Sequence, residues 1–310
     1  MVIENTYDNE ENLGSLSVKK LLYLPMAKDG ERWAPEAYPA VTFELTRTYT
    51  KNDGTTSPAE TVDTMTWSSE AVRDEYESQA GGLLSKIESF FTGNPVTVNG
   101  SQVDENGDFE PLEKVITFEA LEIYAPNGSP YVYTVKEVKS SLNGYDTWVV
   151  EGDVAIEDAE TKMTGEPVPG DPATGELTPA ADSEDGTEEE RTIAATFINR
   201  QDTERETVTV SGQKNWNDYD DVFGTRPDEI TLTLYRQADS QPGQSNSIGK
   251  TEVLDGLYSV AWDETSGNVW TYTITGKQAA VELEKYAPNG MPWKYSVRET
   301  LADTDGGAAE

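Results

Sequence analysis

Residues 121–138 read LEIYAPNGSPYVYTVKEV, and residues 283–300 read LEKYAPNGMPWKYSVRET. Eleven of these 18 aligned positions are identical, at an offset of 162 residues. Each copy pairs an Ala-Pro-Asn-Gly turn with a strand whose apolar residues fall on every second position. An internal repeat of this kind predicts two homologous β domains in one chain.

The flanking sequence fits the same plan. Leu16-Ser17-Val18-Lys19-Lys20-Leu21-Leu22 and the stretch from Val208 to Trp216 each open a domain as a strand, and Tyr38 to Leu45 and Arg226 to Leu234 each add another after a loop. Short strands separated by Gly, Pro and Asn turns predict an all-β fold of tandem antiparallel immunoglobulin-like sandwiches. In the first domain Val72, Tyr76, Leu83, Leu84, Ile87 and Phe91 fit one helical face. Residues 69–91 are therefore expected as a small helical insertion, broken or kinked at Gly81-Gly82. Residues 151–190 turn to Asp, Glu, Pro, Gly and Thr and are expected as a solvated, flexible acidic loop. A strand from Arg191 to Asn199 follows, and the polar stretch Gln201 to Glu206 puts a boundary near residue 203. The expected division is 1–13, the terminal strand of a preceding repeat plus a linker; 14–203, the first domain; and 204–310, a second domain lacking its last strand.

Composition narrows the function. The 310 residues carry 23 basic and 58 acidic side chains, a net charge of −35, which argues against nucleic acid and against docking on anionic lipid. The chain has no His and no Cys, so His-based triads, thiol nucleophiles, disulfides and zinc–thiolate sites are excluded. No apolar run approaches the roughly 18 residues needed to span a bilayer. No signal peptide or anchor is recognisable, so an exported protein would contain this chain as an internal piece. With 7 Trp, 15 Tyr and 7 Phe against 35% apolar residues, the chain is expected to hold real though lean cores.

Strand alternation then singles out polar groups on apolar phases. Lys20 is in step with Leu16, Val18 and Leu22; Glu137 with Tyr131, Tyr133 and Val135; Asn199 with Ile193, Ala195 and Phe197. In the second domain Lys214 is in step with Val208, Val210 and Trp216, and Glu299 with Trp293, Tyr295 and Val297. A lysine, a glutamate and an asparagine thus point inward from three strands of the first domain. An unpaired buried charge is costly, so such groups must pair, neutralise or react. Lys19, in the opposite phase, is expected in solvent.

Lys214-Asn215-Trp216, the Arg-Pro-x-x-Ile strand start, the Tyr-x-Val-x-Glu strand and the Phe-x-Asn strand end resemble Cna B-type repeats, the stalk domains of Gram-positive surface adhesins and pilins. The resemblance covers most of 14–200 and 207–310, apart from the helical insertion and the acidic loop. It implies an autocatalytic isopeptide bond between Lys and Asn assisted by Glu. Carried onto this sequence, Lys20 is the nucleophile, Asn199 the acceptor and Glu137 the proton shuttle, with Lys214 and Glu299 the matching pair in the second domain. There the pattern departs: no Asn lies on a strand after Glu299, and Asp303 and Asp305 sit in a tail without alternation. Residues 1–7, MVIENTY, resemble the terminal Asn strand of such a domain, which leaves open whether Asn5 of one molecule completes Lys214–Glu299 of another.

Blander readings compete. A single lysine on an apolar phase ordinarily snorkels to the sheet edge, but the matched Lys–Glu placement in both repeats, with Asn199 in the first, favours the reactive reading. Asp104-Glu105-Asn106-Gly107-Asp108 misplaces the glycine and the last ligand of a helix–loop–helix calcium site and reads as an acidic turn. The sequence therefore predicts a secreted, cell-wall-associated structural stalk segment, not a turnover enzyme, needing no cofactor or metal. Its expected partners are neighbouring repeats of the same longer chain. The alternative is an adhesin module that binds a host protein or glycan through the 69–91 insertion or surface loops.

Overall fold

A computed structural model describes residues 13–24, 26–29, 32–87, 111–181, 192–201, 206–227, 230–254, 256–276 and 283–301. Asn5, the 104–108 turn, the acidic run 182–190, Asp303 and Asp305 lie outside the described residues. Two compact units emerge: residues 1–202 with 241–246 and 288–290, and the remainder of the chain.

The first unit runs β1 (Leu13–Leu22), β2 (Met26–Asp29), β3 (Arg32–Pro35), β4 (Val41–Tyr49), β5 (Glu60–Trp67), α1 (Ser69–Ile87), β6 (Leu112–Glu122), β7 (Tyr131–Glu137), β8 (Tyr145–Glu151), α2 (Ala159–Lys162), β9 (Ala180–Ala181) and β10 (Ile193–Gln201). One sheet has the order β6-β1-β10-β8, with β9 also on β1; the other has the order β5-β4-β7. Their facing sides share one core: Val18 and Leu22 from β1, Phe43 and Leu45 from β4, Tyr133 and Val135 from β7, Phe197 from β10. The Phe43 and Phe197 rings meet edge-on at 5.2 Å across the layers. Between these two sheets' strands every pairing is antiparallel except one: β1 and β10 run parallel, Lys20 opposite Phe197 and Leu22 opposite Asn199.

The Ala-Pro-Asn-Gly turns form alike in both repeats. Ala125 N donates to Ser129 O at 2.8 Å and Ala287 N to Met291 O at 2.8 Å. Gly128 and Gly290 take φ of 81° and 74°, the left-handed region that only glycine enters freely.

Two expectations need correction. Helix α1 continues through Gly81-Gly82 without a break. Each glycine weakens a helix by about 1 kcal/mol relative to alanine, which neighbouring turns can offset. Val72 of its apolar face is buried. Nor is the segment after β8 a free loop over its described part. Leu177 exchanges both backbone hydrogen bonds with Tyr133, Glu137 N donates to Pro172 O, and Thr174 N donates to Val135 O. These contacts satisfy the outer edge of β7, whose backbone groups would otherwise need water or another strand. Further back, Val154 and Ala159 pack with Leu21, Tyr23 and Ile198 in a second small core.

The second unit comprises β11 (Val210–Asn215), β12 (Ile230–Ala238), β13 (Ile248–Glu252), β14 (Tyr258–Ser266), β15 (Val269–Gly276) and β16 (Trp293–Leu301). Its sheets, β11-β15-β14 and β13-β12-β16, enclose Leu234, Val253, Tyr258, Ile274 and Leu283. All of its strand pairings are antiparallel. Among the described residues no strand pairs with the second edge of β11, the place β10 takes beside β1 in the first unit.

Candidate functional site

β1, β7 and β10 bring Lys20, Glu137 and Asn199 together inside the first sandwich. All three side chains are closed to solvent. Lys20 Nζ donates to Glu137 Oε2 at 2.7 Å, and Asn199 Nδ2 donates to Glu137 Oε1 at 2.9 Å. One carboxylate thus holds the amine with one oxygen and the carboxamide with the other. The geometry follows from register: Lys20 and Asn199 stand on adjacent parallel strands, offset by one same-face step, and β7 presents Glu137 from the opposite sheet.

Burial sets the electrostatics. Desolvation pushes the Lys20 ammonium down from 10.5 to about 8, against the pull of Glu137, and the charge of Lys139 adds a small push the same way. The Lys139 ammonium itself is held by the Tyr145 carbonyl. A lowered lysine stands closer to its free-amine form, the form that carries a lone pair to donate.

The carboxamide of Asn199 is unevenly satisfied. Its Nδ2 meets Glu137 Oε1, Thr147 Oγ1 at 2.5 Å and the Asp146 carbonyl at 3.5 Å. Its Oδ1 is buried and has no hydrogen-bond partner among the described residues. A buried acceptor left unpaired raises the energy of the amide ground state, as native cores seldom allow. Thr147 stands directly opposite Asn199 in the β8–β10 ladder and was not singled out from sequence. The alternation Tyr145, Thr147, Val149 held the signal, a hydroxyl on an apolar phase.

Lys19 corrects the simplest reading of alternation. It is only 7% exposed, pairs with Asp153 and with Glu113 at 3.6 Å, and donates to Val154 O at 3.3 Å. Residues 153–159 cover the second face of β1, so both phases of this strand are inside.

In the second unit Lys214 Nζ lies 2.6 and 2.9 Å from the two oxygens of Glu299. This pair is looser, its side chains 24% and 30% exposed, and the lysine stands 4.8 Å above the Trp216 ring. No asparagine reaches it among the described contacts.

Residues 210–305 match the family model of the Cna protein B-type domain. The second unit is therefore a Cna B-type domain, as its motifs led us to expect. No curated protein matches the chain. One similar solved structure holds two B repeat units of the collagen binding protein Cna of Staphylococcus aureus, 15% identical, with a TM-score of 0.19 over 94% of this chain and 69% of that one. Another is the full-length major pilin SpaD of Corynebacterium diphtheriae, 14% identical, with a TM-score of 0.20 over 95% of this chain; the match spans 57% of the pilin. The fold is mostly β-strand, and no helix among the described residues is long and apolar enough to cross a membrane.

Proposed function

We propose that the chain is a structural stalk segment of a cell-surface protein whose first domain welds itself shut by an isopeptide bond between Lys20 and Asn199. The observation that carries this reading is the solvent-free contact of Glu137 with both Lys20 and Asn199.

The chemistry balances without a cofactor. The Lys20 ammonium gives a proton to Glu137, leaving a neutral amine beside a carboxylic acid. The Nζ lone pair attacks Asn199 Cγ, the new C–N bond forms, and the carbonyl electrons move onto Oδ1. Glu137 gives its proton to Nδ2 and takes one from Nζ, the C–Nδ2 bond breaks, and ammonia leaves. Holding the partners in contact on a folded scaffold supplies proximity, worth about 7–11 kcal/mol of barrier in favourable cases. The reaction runs once, so the domain processes itself and turns over no substrate.

The stalk role rests on two β domains in one chain, the second of them Cna B-type. Neighbouring repeats of a longer chain are the partners this role requires, and attachment to a cell wall is its setting. The second domain has the Lys214–Glu299 pair, and its acceptor is left unassigned.

Intact mass is the test. The wild-type chain should be lighter than its sequence by about 17 Da, one ammonia. Glu137→Ala should retain the full sequence mass. Full mass in the folded wild type would overturn the crosslink, and ammonia loss in Glu137→Ala equal to wild type would remove Glu137 from the chemistry.

A further inference from the structure

Thr147 is not explained by packing. It is fully buried on β8, on the face where Tyr145 is also buried. Valine would fill this space, suit a strand equally well and carry no polar atom to satisfy. The hydroxyl instead lies among the reacting groups. Its Oγ1 is 2.5 Å from Asn199 Nδ2 and accepts a hydrogen bond from it; its own proton points to Glu137 Oε1, 3.5 Å away. The β8–β10 register fixes this contact, since Thr147 and Asn199 are direct cross-strand partners.

We infer that Thr147 is a further catalytic residue of the crosslinking reaction, one that holds the departing nitrogen of Asn199 for protonation by Glu137; the inference rests on the isopeptide reading above. In the planar amide the Nδ2 lone pair is delocalised into the carbonyl. When Nζ adds to Cγ, that nitrogen becomes pyramidal and its lone pair becomes basic. With one N–H held by Thr147, the carboxamide cannot swing about its Cβ–Cγ bond, and the lone pair emerges beside the Glu137 proton. The Thr147 hydroxyl also keeps Glu137 Oε1 next to the nitrogen it must protonate. The hydroxyl is neither consumed nor charged: Glu137 supplies the proton, and the C–Nδ2 electron pair leaves with ammonia. Oδ1 has no hydrogen-bond partner among the described residues to restrain the amide from that end.

The test follows ammonia loss by intact mass in whole chains made by cell-free synthesis and quenched in denaturant at intervals. Thr147→Val, which keeps the shape, should slow the mass loss by roughly tenfold or more, the scale of one buried hydrogen bond to a charged or reacting group. Thr147→Ser, which keeps the hydroxyl, should remain within about twofold of wild type. Equal rates in Thr147→Val and wild type would overturn the role, as would a Thr147→Ser rate as low as that of Thr147→Val. A folding defect is separated by melting Thr147→Val against wild-type Thr147, both in an Asn199→Ala background where no bond can form. If the folded fraction falls as much as the rate, Thr147 is structural and the inference fails. Absence of ammonia loss in the wild type would instead strike the isopeptide reading itself.

Discussion

Lys20 Nζ sits 2.7 Å from Glu137 Oε2 with neither side chain exposed to solvent. Enclosure of this kind makes a salt bridge a poor stabiliser and a good reagent. Two ions taken from water regain little by pairing, whereas the neutral forms of the same groups are a nucleophile and an acid.

Removing either end of the crosslink should destabilise the first domain, but unequally. The proposed bond would close a span of 179 residues, worth about 5 kcal/mol by the loop-entropy relation. Asn199→Ala should lose that amount and drop the melting temperature by roughly 10–20 °C. Lys20→Ala loses it too and also leaves Glu137 buried without its cation, a further cost of about 3 kcal/mol. Denaturant midpoints should rank wild type above Asn199→Ala above Lys20→Ala; equal midpoints for the first two would contradict the crosslink.

Asn199→Ala should show a pH dependence that the wild type lacks. Its free Lys20 titrates near 8 when folded and near 10.5 when unfolded. Between those values the unfolded chain binds more protons, so stability rises with pH across that window and is lowest below about 8. The gain is about 3 kcal/mol for the 2.5-unit difference. Once crosslinked, the wild-type Lys20 would be an amide that cannot titrate, so subtracting the wild-type melting curves should cancel the tyrosines and other groups.

Force should reveal the weld. β1 and β10 run parallel, so tension applied near residues 13 and 201 loads this pair in shear, and the bond would carry it past the rest of the sandwich. In single-molecule pulling, Asn199→Ala should release about 600 Å of chain at roughly 3.6 Å per residue. The wild-type first domain should release almost none of it.

Gly14 offers a test of the strap after β8. A Cβ there would run into the Ala180 carbonyl on β9. Gly14→Ala should cost about 1–3 kcal/mol through displaced backbone and should speed hydrogen exchange at Ala180 and Ala181. Unchanged exchange would mean that β9 is not held against β1.

The groups at the site were legible because strand phase is local. Every second side chain shares a face, so Lys20, Glu137 and Asn199 could each be assigned to an apolar side from a few neighbours. The same rule fails for Lys19, which is buried although its phase predicts solvent. Opposite phase means solvent only when the other face of the sheet is wet, and residues 153–159 cover it. Their acidic, Pro- and Gly-rich surroundings hid the few anchors, Val154 and Ala159 among them, that hold the segment down. Alternation alone does not single out Thr147, because a threonine in a strand is ordinary until its cross-strand partner is known.

By itself the sequence determined the repeat, the β class, the Ala-Pro-Asn-Gly turns and the inward phase of three polar residues, since each follows from contacts within a few positions along the chain. Only the tertiary structure decided that β1 lies parallel to β10, that Glu137 touches lysine and asparagine at once, and that Thr147 closes on the same amide nitrogen. Those relations join residues 52 to 117 positions apart or more, where nothing but strand order and register, fixed by burial of the shared core, sets the distance.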